Sequence, residues 1–187
     1  MDHYVDIDVR SDPEFAAYQL MNALYAKLHR ALVAQACTSI GVSFPKANGH
    51  ELHLGRCLRL HGSLAVLSGL QASSWLKGMH DHIVLTPVTP VPATHGHLAV
   101  RRVQVKSNPE RMRRRLMRRL GFDENEAHLK IPDSSAVKLN LPCIALRSTS
   151  TGQPFNLYID HGQALPAAVS GTFNTYGLSQ SATVPMF

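Results

Sequence analysis

The order of strand-like and helix-like segments over the first 85 residues most constrains the fold of this 187-residue chain. Alternating apolar and polar residues at 4–9 predict a first strand, and an amphipathic pattern from Ser11-Asp12-Pro13 to about residue 35 predicts a helix. The next segments predict strand, strand, helix and strand, at residues 39–44, 57–61, 63–70 and 83–85. This βαββαβ order is the ferredoxin-like arrangement, which many RNA-binding domains use.

Residues 86–92 contain three prolines, which break regular structure and predict a linker. We therefore expect an α+β protein of two domains. A ferredoxin-like domain is expected over residues 1–90. A C-terminal α+β domain that carries an arginine-rich helix is expected over residues 91–187.

The expected C-terminal domain begins with an alternating pattern at residues 98–105, which predicts a strand with Arg102 and Gln104 on its polar face. These two side chains match the hydrogen-bonding patterns of guanine and adenine, although surface residues of these types are usually only solvated. Cap candidates Ser107 and Asn108 precede Pro109 and predict a helix that ends near residue 120. Another short helix and two strands are expected at residues 123–130, 144–148 and 155–159.

Positive charge is concentrated in residues 101–119, where nine basic residues and one acidic residue give +8, so the rest of the chain carries −2. In the predicted helix, Met112, Leu116 and Leu120 form a stripe that we expect to pack. The opposite arc holds Arg111, Arg114, Arg115, Arg118 and Arg119. Clustered arginines bind phosphates through paired hydrogen bonds and counterion release, which favours a polyanion site. The alternatives are a solvated basic surface and a docking site for an acidic protein.

Several other classes of protein find no support in the sequence. No apolar run approaches the roughly eighteen residues of a membrane span, and the first residues lack a basic signal-peptide start, so we expect a cytoplasmic protein without a membrane partner. Cys37, Cys57 and Cys143 are odd in number and widely spaced, which indicates buried reduced thiols. Three close histidine pairs, at 50/53, 80/82 and 95/97, lack a neighbouring cysteine or carboxylate set, so neither a metal nor another cofactor is expected.

Some residues have the chemistry that RNA cleavage requires. RNA carries its own nucleophile, the ribose 2′-hydroxyl, so cleavage needs a base of near-neutral pKa, in-line alignment and charge stabilisation. His29 meets the first need, although a lone histidine late in a helix is more often a half-buried surface residue. Ser148 and Ser150 share one face of a predicted strand before Thr151-Gly152, a pattern that is also typical of a Ser/Thr turn.

Five segments resemble a known family. They are KLHRALVAQ (27–35), IGVSFP (40–45), VQVKSNPERMRRRLMRR (103–119), LRSTSTGQPFNLYIDHG (146–162) and FNTYGLS (173–179). The pattern is similar to that of the CRISPR-associated repeat-processing endoribonucleases of subtype I-F and spans nearly the whole chain. The resemblance implies a ferredoxin-like N-terminal domain and a distinct C-terminal domain with the arginine-rich helix. It also implies binding of the repeat hairpin of precursor CRISPR RNA and cleavage at the 3′ base of the stem.

Matched by position, the resemblance assigns catalysis to His29, Ser148 and Tyr176. His29 is the base, Tyr176 orients it, and Ser148 is expected to hold the 2′-hydroxyl in line. Phe155 is implied to stack on the terminal base pair. The other implied RNA-binding residues comprise the base readers, the arginines of the helix arc and two hydroxyl side chains near the cut phosphate: Arg102, Gln104, Arg111, Arg114, Arg115, Arg118, Arg119, Ser150 and Thr151.

We therefore expect a metal-independent endoribonuclease that leaves a 2′,3′-cyclic phosphate. Its expected partners are the CRISPR repeat hairpin RNA and the other subunits of the type I-F interference complex, in which it keeps its product bound. A non-catalytic hairpin-RNA-binding subunit and a duplex-DNA binder are the alternatives. Cleavage in EDTA distinguishes the metal-independent endoribonuclease from the non-catalytic subunit. Dependence on a 2′-hydroxyl distinguishes both from a duplex-DNA binder.

Overall fold

A computed structural model describes residues 1–47, 52–104, 109–135, 139–149 and 151–187. The helices and strands, in chain order, are β1 (His3–Val9), α1 (Ala17–Ala34), β2 (Gly41–Ser43), β3 (Cys57–Gly62), α2 (Leu64–Ala72), β4 (Ile83–Leu85), β5 (Thr89–Pro90), β6 (Gly96–Leu98), β7 (Val100–Val103), α3 (Pro109–Leu120), α4 (Glu124–Lys130), β8 (Cys143–Arg147), β9 (Pro154–His161) and β10 (Val184–Met186). The chain is an α+β protein, as the sequence predicts.

The first sheet has the strand order β2-β3-β1-β4, and its neighbouring strands are antiparallel. Helix α1 lies between β1 and β2 in the chain, and α2 lies between β3 and β4. Helix α1 begins later than Pro13 suggests, because the Asp12 carboxylate accepts the N–H groups of Glu14 and Phe15, at 2.9 and 3.0 Å, and holds a turn there. All six elements predicted for this part of the chain are therefore present, with bounds shifted by a few residues.

Helix α1 contributes one apolar face to the main core and packs against β1 and β8. Its buried residues recur every three or four positions, as one helical face requires. They are Leu20, Met21, Leu24, Tyr25, Leu28, Ala31 and Leu32. The helix is followed by Ala36, whose φ of 47° lies in the left-handed region and cannot continue a right-handed helix. His29, one position beyond Leu28, therefore lies at the border of the buried face.

The segment that was expected to be a structureless linker lies alongside β1. Thr89 and Pro90 form β5 and pair with Tyr4 and His3, so the prediction that the prolines exclude any regular element was wrong. Proline is tolerated there because an edge strand leaves one row of N–H groups unpaired. No helix within the described ranges is both long and apolar enough to cross a membrane.

The strand expected at residues 98–105 is two separate strands, β6 and β7, with Ala99 between them. The chain passes at Ala99 from the sheet β10-β6 to the sheet β7-β9-β8, where the Ala99 carbonyl accepts the N–H of Gly162, at 2.9 Å. Gln104 is exposed and follows the last residue of β7, so the prediction that it shares a strand with Arg102 was wrong. Residues 105–108, which include the cap candidates Ser107 and Asn108, lie outside the described residues.

The chain divides into two compact units: Met1–Arg102 with Leu141–Phe187, and Val103–Asn140. The first unit holds three sheets, of which β7-β9-β8 and β10-β6 are the smaller two. The domain boundary expected at residue 90 stays a prediction. Among the cysteines, all three are free thiols, but only Cys57 is buried, while Cys37 and Cys143 are half-buried.

The second unit contains α3 and α4. Its most buried side chain on α3 is Arg113, whose guanidinium donates to the Ile131 carbonyl at 2.7 Å, to His128 Nε2 at 2.7 Å and to the Asp133 carboxylate. The apolar stripe was expected to pack, but Met112 and Leu120 are 43% and 66% exposed. Leu116 is half-buried, so the expectation was wrong for Met112 and Leu120 only. Arg113, with its three partners, joins α3 to the segment that follows it.

Candidate active site

His29 has a defined hydrogen-bond partner in the segment of residues 173–178, which we call the tyrosine loop. Its Nδ1 lies 2.9 Å from the carbonyl oxygen of Thr175. Because a carbonyl oxygen only accepts hydrogen bonds, Nδ1 is the protonated nitrogen and donates to it. In the neutral ring, Nε2 then carries the lone pair, so the backbone of the tyrosine loop selects the tautomer in which Nε2 is the base.

The ring of Tyr176 fixes the plane of the histidine. The two ring centroids are 4.0 Å apart and the rings are 9° from parallel. The Arg102 guanidinium carbon lies 5.6 Å from the centroid of the same tyrosine ring, within the range of a cation–π contact. Tyr176 thus links the predicted catalytic histidine to one of the two predicted base-reading residues.

The tyrosine loop is held by hydrogen bonds from three directions. The hydroxyl of Tyr25 donates to the carbonyl of Tyr176 at 2.7 Å, and complete burial raises the pKa of that hydroxyl, so it stays protonated as a donor. The Asn174 side chain accepts the N–H groups of Tyr176 and Leu178 at 2.9 and 3.2 Å. The N–H of Val42 in β2 donates to the carbonyl of Gly177 at 3.0 Å. The position of Tyr176 is therefore set by α1, by β2 and by the loop itself.

A cavity of about 190 Å³ opens beside the stacked rings. The antiparallel pair β8 and β9 forms its opposite wall, where Leu146 faces Phe155 across the ladder. The residues that line the cavity and bear on its chemistry are His29, Arg30, Arg147, Ser148, Phe155 and Tyr176. The fold thus brings together residues that are more than 100 positions apart in the sequence.

Ser148 follows the last residue of β8 and begins the turn to β9. Its N–H donates to the Gln153 carbonyl and its carbonyl accepts the N–H of Gly152, both at 2.9 Å. Its hydroxyl oxygen accepts the N–H of Thr151 at 3.3 Å. The Ser/Thr turn that the sequence offered as an alternative is thus present, and it holds the Ser148 side chain at the cavity that His29 lines.

The chemistry of this cavity suits a phosphodiester. A histidine, a serine and two arginines are among its lining residues, and none of its described lining residues is acidic. Carboxylates would repel a phosphate, whereas guanidinium groups stabilise the negative charge that develops on phosphate oxygens during transfer. A nitrogen that can accept a proton thus lies in one cavity with groups that can stabilise phosphate charge.

The predicted site residues fall into three groups. His29, Ser148, Phe155 and Tyr176 line one cavity, Arg102 contacts Tyr176, and Thr151 is hydrogen-bonded to Ser148. Ser150 lies outside the described residues. The others lie in the second unit, where all are exposed: Gln104, Arg111, Arg114, Arg115, Arg118 and Arg119. The catalytic and binding roles of all these residues stay predictions.

Four residues near the site were missed by the sequence reasoning. Thr175 contributes only its carbonyl, so its side chain gives no signal. Tyr25 precedes His29 by one helical turn, a spacing that could have indicated a supporting role. Arg30 and Arg147 are each adjacent to a predicted catalytic residue, but isolated surface arginines are common.

The fold and the site define an α+β protein in which a histidine and two arginines line one cavity. The chain belongs to the family described as CRISPR-associated protein (Cas_Csy4), which matches residues 4–187. It is 50% identical over 187 residues, all of both chains, to the CRISPR-associated endonuclease Cas6/Csy4 of Pseudomonas aeruginosa (strain UCBPP-PA14). It is 46% identical, again over both whole chains, to the CRISPR-associated endonuclease Cas6/Csy4 of Escherichia coli (strain UTI89 / UPEC). The resemblance indicated by the five sequence segments is confirmed.

Proposed function

We propose that this chain is an endoribonuclease that recognises the repeat stem-loop of precursor CRISPR RNA and cuts at the 3′ base of the stem. The observation that carries the proposal is His29, with Nε2 as the base, in one cavity with Ser148 and two arginines. The names of the two relatives, both CRISPR-associated endonucleases, support the same activity.

The proposed reaction needs no metal, because the substrate contains its own nucleophile. His29 Nε2 takes the proton of the 2′-hydroxyl upstream of the cut, while the Ser148 hydroxyl holds that group in line. The 2′-oxygen bonds to phosphorus, the bond to the 5′-oxygen breaks, and the leaving oxygen takes a proton from water. His29 then gives its proton to the solvent and returns to the neutral form. The upstream product then ends in a 2′,3′-cyclic phosphate. Arg30 and Arg147 stabilise the charge on the phosphate, and Tyr176 keeps the histidine ring in place.

The strand order β2-β3-β1-β4, with α1 and α2 between its strands, supports a ferredoxin-like N-terminal domain. We assign this domain to residues 1–90 and a hairpin-binding domain to residues 91–187. In the latter, the exposed arginines of α3 bind phosphates, and Arg102 and Gln104 read bases. Phe155 stacks on the terminal base pair, and Ser150 and Thr151 lie near the cut phosphate.

The first test removes the metal, the base and the nucleophile in turn. Cleavage of a repeat hairpin is expected to persist in EDTA and to be lost in His29→Ala, which keeps its hairpin affinity because few phosphate contacts are removed. His95→Ala, a change at an exposed histidine, is the matched control and is expected to cut normally. Deoxyribose at the nucleotide upstream of the cut stops cleavage but not binding. Magnesium dependence, or a free 3′-hydroxyl on the upstream product, would refute the mechanism.

The second test separates affinity from base reading. The double variant Arg115→Ala, Arg119→Ala is expected to weaken binding to all hairpins and to lower the salt dependence of Kd, because phosphate contacts dominate affinity. Gln104→Ala is expected to relax the preference for one base and to leave the salt dependence unchanged. Unchanged binding at low salt in the double variant would instead assign α3 to a protein interface.

The protein is further proposed to keep its product and to join the other subunits of the type I-F interference complex. Product retention predicts that the cleaved hairpin stays bound for much longer than one round of cleavage takes, because the stem contacts are unchanged by the cut. Fast release of the product in a chase with unlabelled hairpin would contradict it.

A further inference from the structure

A second cavity, of about 320 Å³, lies on α1 next to the His29 cavity. We call it the flank groove; Lys27, Arg30, Gln35, Ser73, Trp75 and two alanines of α1 line it. The proposed reaction does not use it. Its volume falls at the low end of the range for small-ligand pockets, roughly 300–1,000 Å³, so it would hold a group of about the size of one nucleotide.

The two cavities are joined by a shared residue. Ala26, His29 and Arg30 lie on the face of α1 that borders the His29 cavity, and residues 27, 30, 31, 34 and 35 lie on the adjacent face, about 100° away. Arg30 lies between these faces and lines both cavities. A chain that leaves the His29 cavity along α1 therefore passes Arg30 and enters the flank groove.

The flank groove has the chemistry of a single-stranded nucleotide site. Lys27 Nζ donates to the carbonyl of Lys77 at 2.7 Å, which places the ammonium at the wall, and two of its three N–H groups are left to donate to a phosphate. No described residue lining the groove is acidic. The indole nitrogen of Trp75 is buried, so ring carbon borders the groove, a surface suited to stacking. Cations beside an aromatic platform are the usual means of holding unpaired nucleotides.

We propose that the flank groove binds the first nucleotide downstream of the cleavage site, with its 3′-phosphate at Lys27 and Arg30 and its base on Trp75. The inference rests on the proposed function, because it requires the phosphate to be cut to lie in the His29 cavity. It extends substrate recognition beyond the stem-loop to the RNA strand that the cut releases.

The test uses hairpins that carry deoxyribose upstream of the cut, so that they bind without being cleaved. One hairpin ends at the cut in a 3′-phosphate, which keeps the phosphate that lies in the His29 cavity. The others continue by one or three nucleotides and also end in a 3′-phosphate. Trp75 is the only tryptophan of the chain, so its fluorescence reports on this groove alone. The flanked hairpins are expected to bind on the order of tenfold more tightly than the hairpin that ends at the cut, and to quench the emission, because one stacked base supplies that much.

Variants of the groove are expected to remove this gain. Lys27→Met and Trp75→Ala bind the flanked and unflanked hairpins alike, whereas Trp75→Phe, which keeps an aromatic platform, retains most of the gain. Lys77→Met removes the same charge from an exposed side chain outside the lining and is the matched control, with the full gain. If Trp75→Ala does not fold, Lys27→Met and the wild-type fluorescence decide the question.

Equal affinity for all flank lengths, or quenching by an acidic peptide but not by the flanked RNA, would overturn the inference. Either result leaves the proposed function standing as long as the unflanked hairpin binds and native RNA is cut. Failure of hairpin binding itself would instead refute the proposed function.

Discussion

A small substitution at Gly177 should disturb the geometry of the active site and leave hairpin affinity nearly unchanged. Its φ of +70° lies in the left-handed region, and a Cβ there would lie 2.5 Å from Cγ1 of Val42, a buried side chain in β2. Gly78, with a φ of +77°, has nothing within 4 Å of its Cβ position. Gly177→Ala and Gly78→Ala therefore place an alanine in nearly the same backbone conformation. Only the alanine at position 177 meets a steric contact.

The loss of stability in each variant is the sum of a backbone cost and a steric cost. A left-handed alanine costs about 1–2 kcal/mol, and the loss of unfolded-state entropy offsets about 0.4–1 kcal/mol of that, equally at both positions. The contact with Val42 adds about 1–3 kcal/mol at Gly177 alone. For a chain of this length, a difference of about 2 kcal/mol corresponds to a further decrease in Tm of about 4–8 °C.

The contact also displaces the tyrosine loop, because Val42 belongs to a buried strand and the loop is the more exposed partner. A shift of about 1 Å in the Thr175 carbonyl and the Tyr176 ring would misplace His29, and such a misplacement costs about 100-fold in rate. Hairpin affinity should stay within about twofold, because no proposed phosphate contact lies in the loop. Calorimetry, single-turnover cleavage and Kd of an uncleavable hairpin measure the three quantities. Equal stability and equal rates in the two glycine variants would refute the reasoning.

Three further predictions concern stability. Burial lowers the pKa of His61 from 6.5 to about 3. Between these pH values the unfolded chain binds a proton that the folded chain does not. The free energy of unfolding should therefore fall as the pH falls from 6.5 towards 3, by up to about 1.4 kcal/mol per pH unit. Urea unfolding should show that His61→Gln flattens this dependence and that His95→Gln, at an exposed site, does not. Arg113→Ala should lower the free energy of unfolding of the second unit by about 2 kcal/mol, measured by amide exchange of α4. Arg114→Ala should lower it by no more than about 0.5 kcal/mol. Equal losses in the two variants would contradict this prediction. Tyr25→Phe should cost about 1–3 kcal/mol and slow cleavage more than it weakens hairpin binding, since a half-buried carbonyl loses its donor. A wild-type rate would show that the other bonds of the tyrosine loop suffice.

The elements of the first sheet could be predicted because their patterns are local. Residues 4–9 alternate, and the buried positions of α1 recur at helical spacing, so each segment indicates its own structure. The pairing of Thr89 and Pro90 with β1 could not be predicted, because it depends on a vacant sheet edge more than 80 positions away. The burial of Arg113 likewise depends on partners supplied by residues 128–133.

The candidate site was indicated by the family resemblance rather than by spacing. His29 and Ser148 are separated by 119 positions, and nothing in either neighbourhood indicates that the other lies beside it. The five segments carried that information, and the structure places four of the residues that they indicated in one cavity. The cations Arg30 and Arg147 became apparent only when the cavity was formed.

The hydrogen bond from His29 to the Thr175 carbonyl has a consequence for experiments that replace side chains one at a time. Every amino acid at position 175 provides a carbonyl, so an alanine scan would score this position as dispensable even though its oxygen selects the tautomer of the base. Only a change to the peptide group itself, such as an amide-to-ester or thioamide replacement made by chemical synthesis, reaches that oxygen. Residue 175 can therefore be substituted by other amino acids while the tautomer of His29 stays the same.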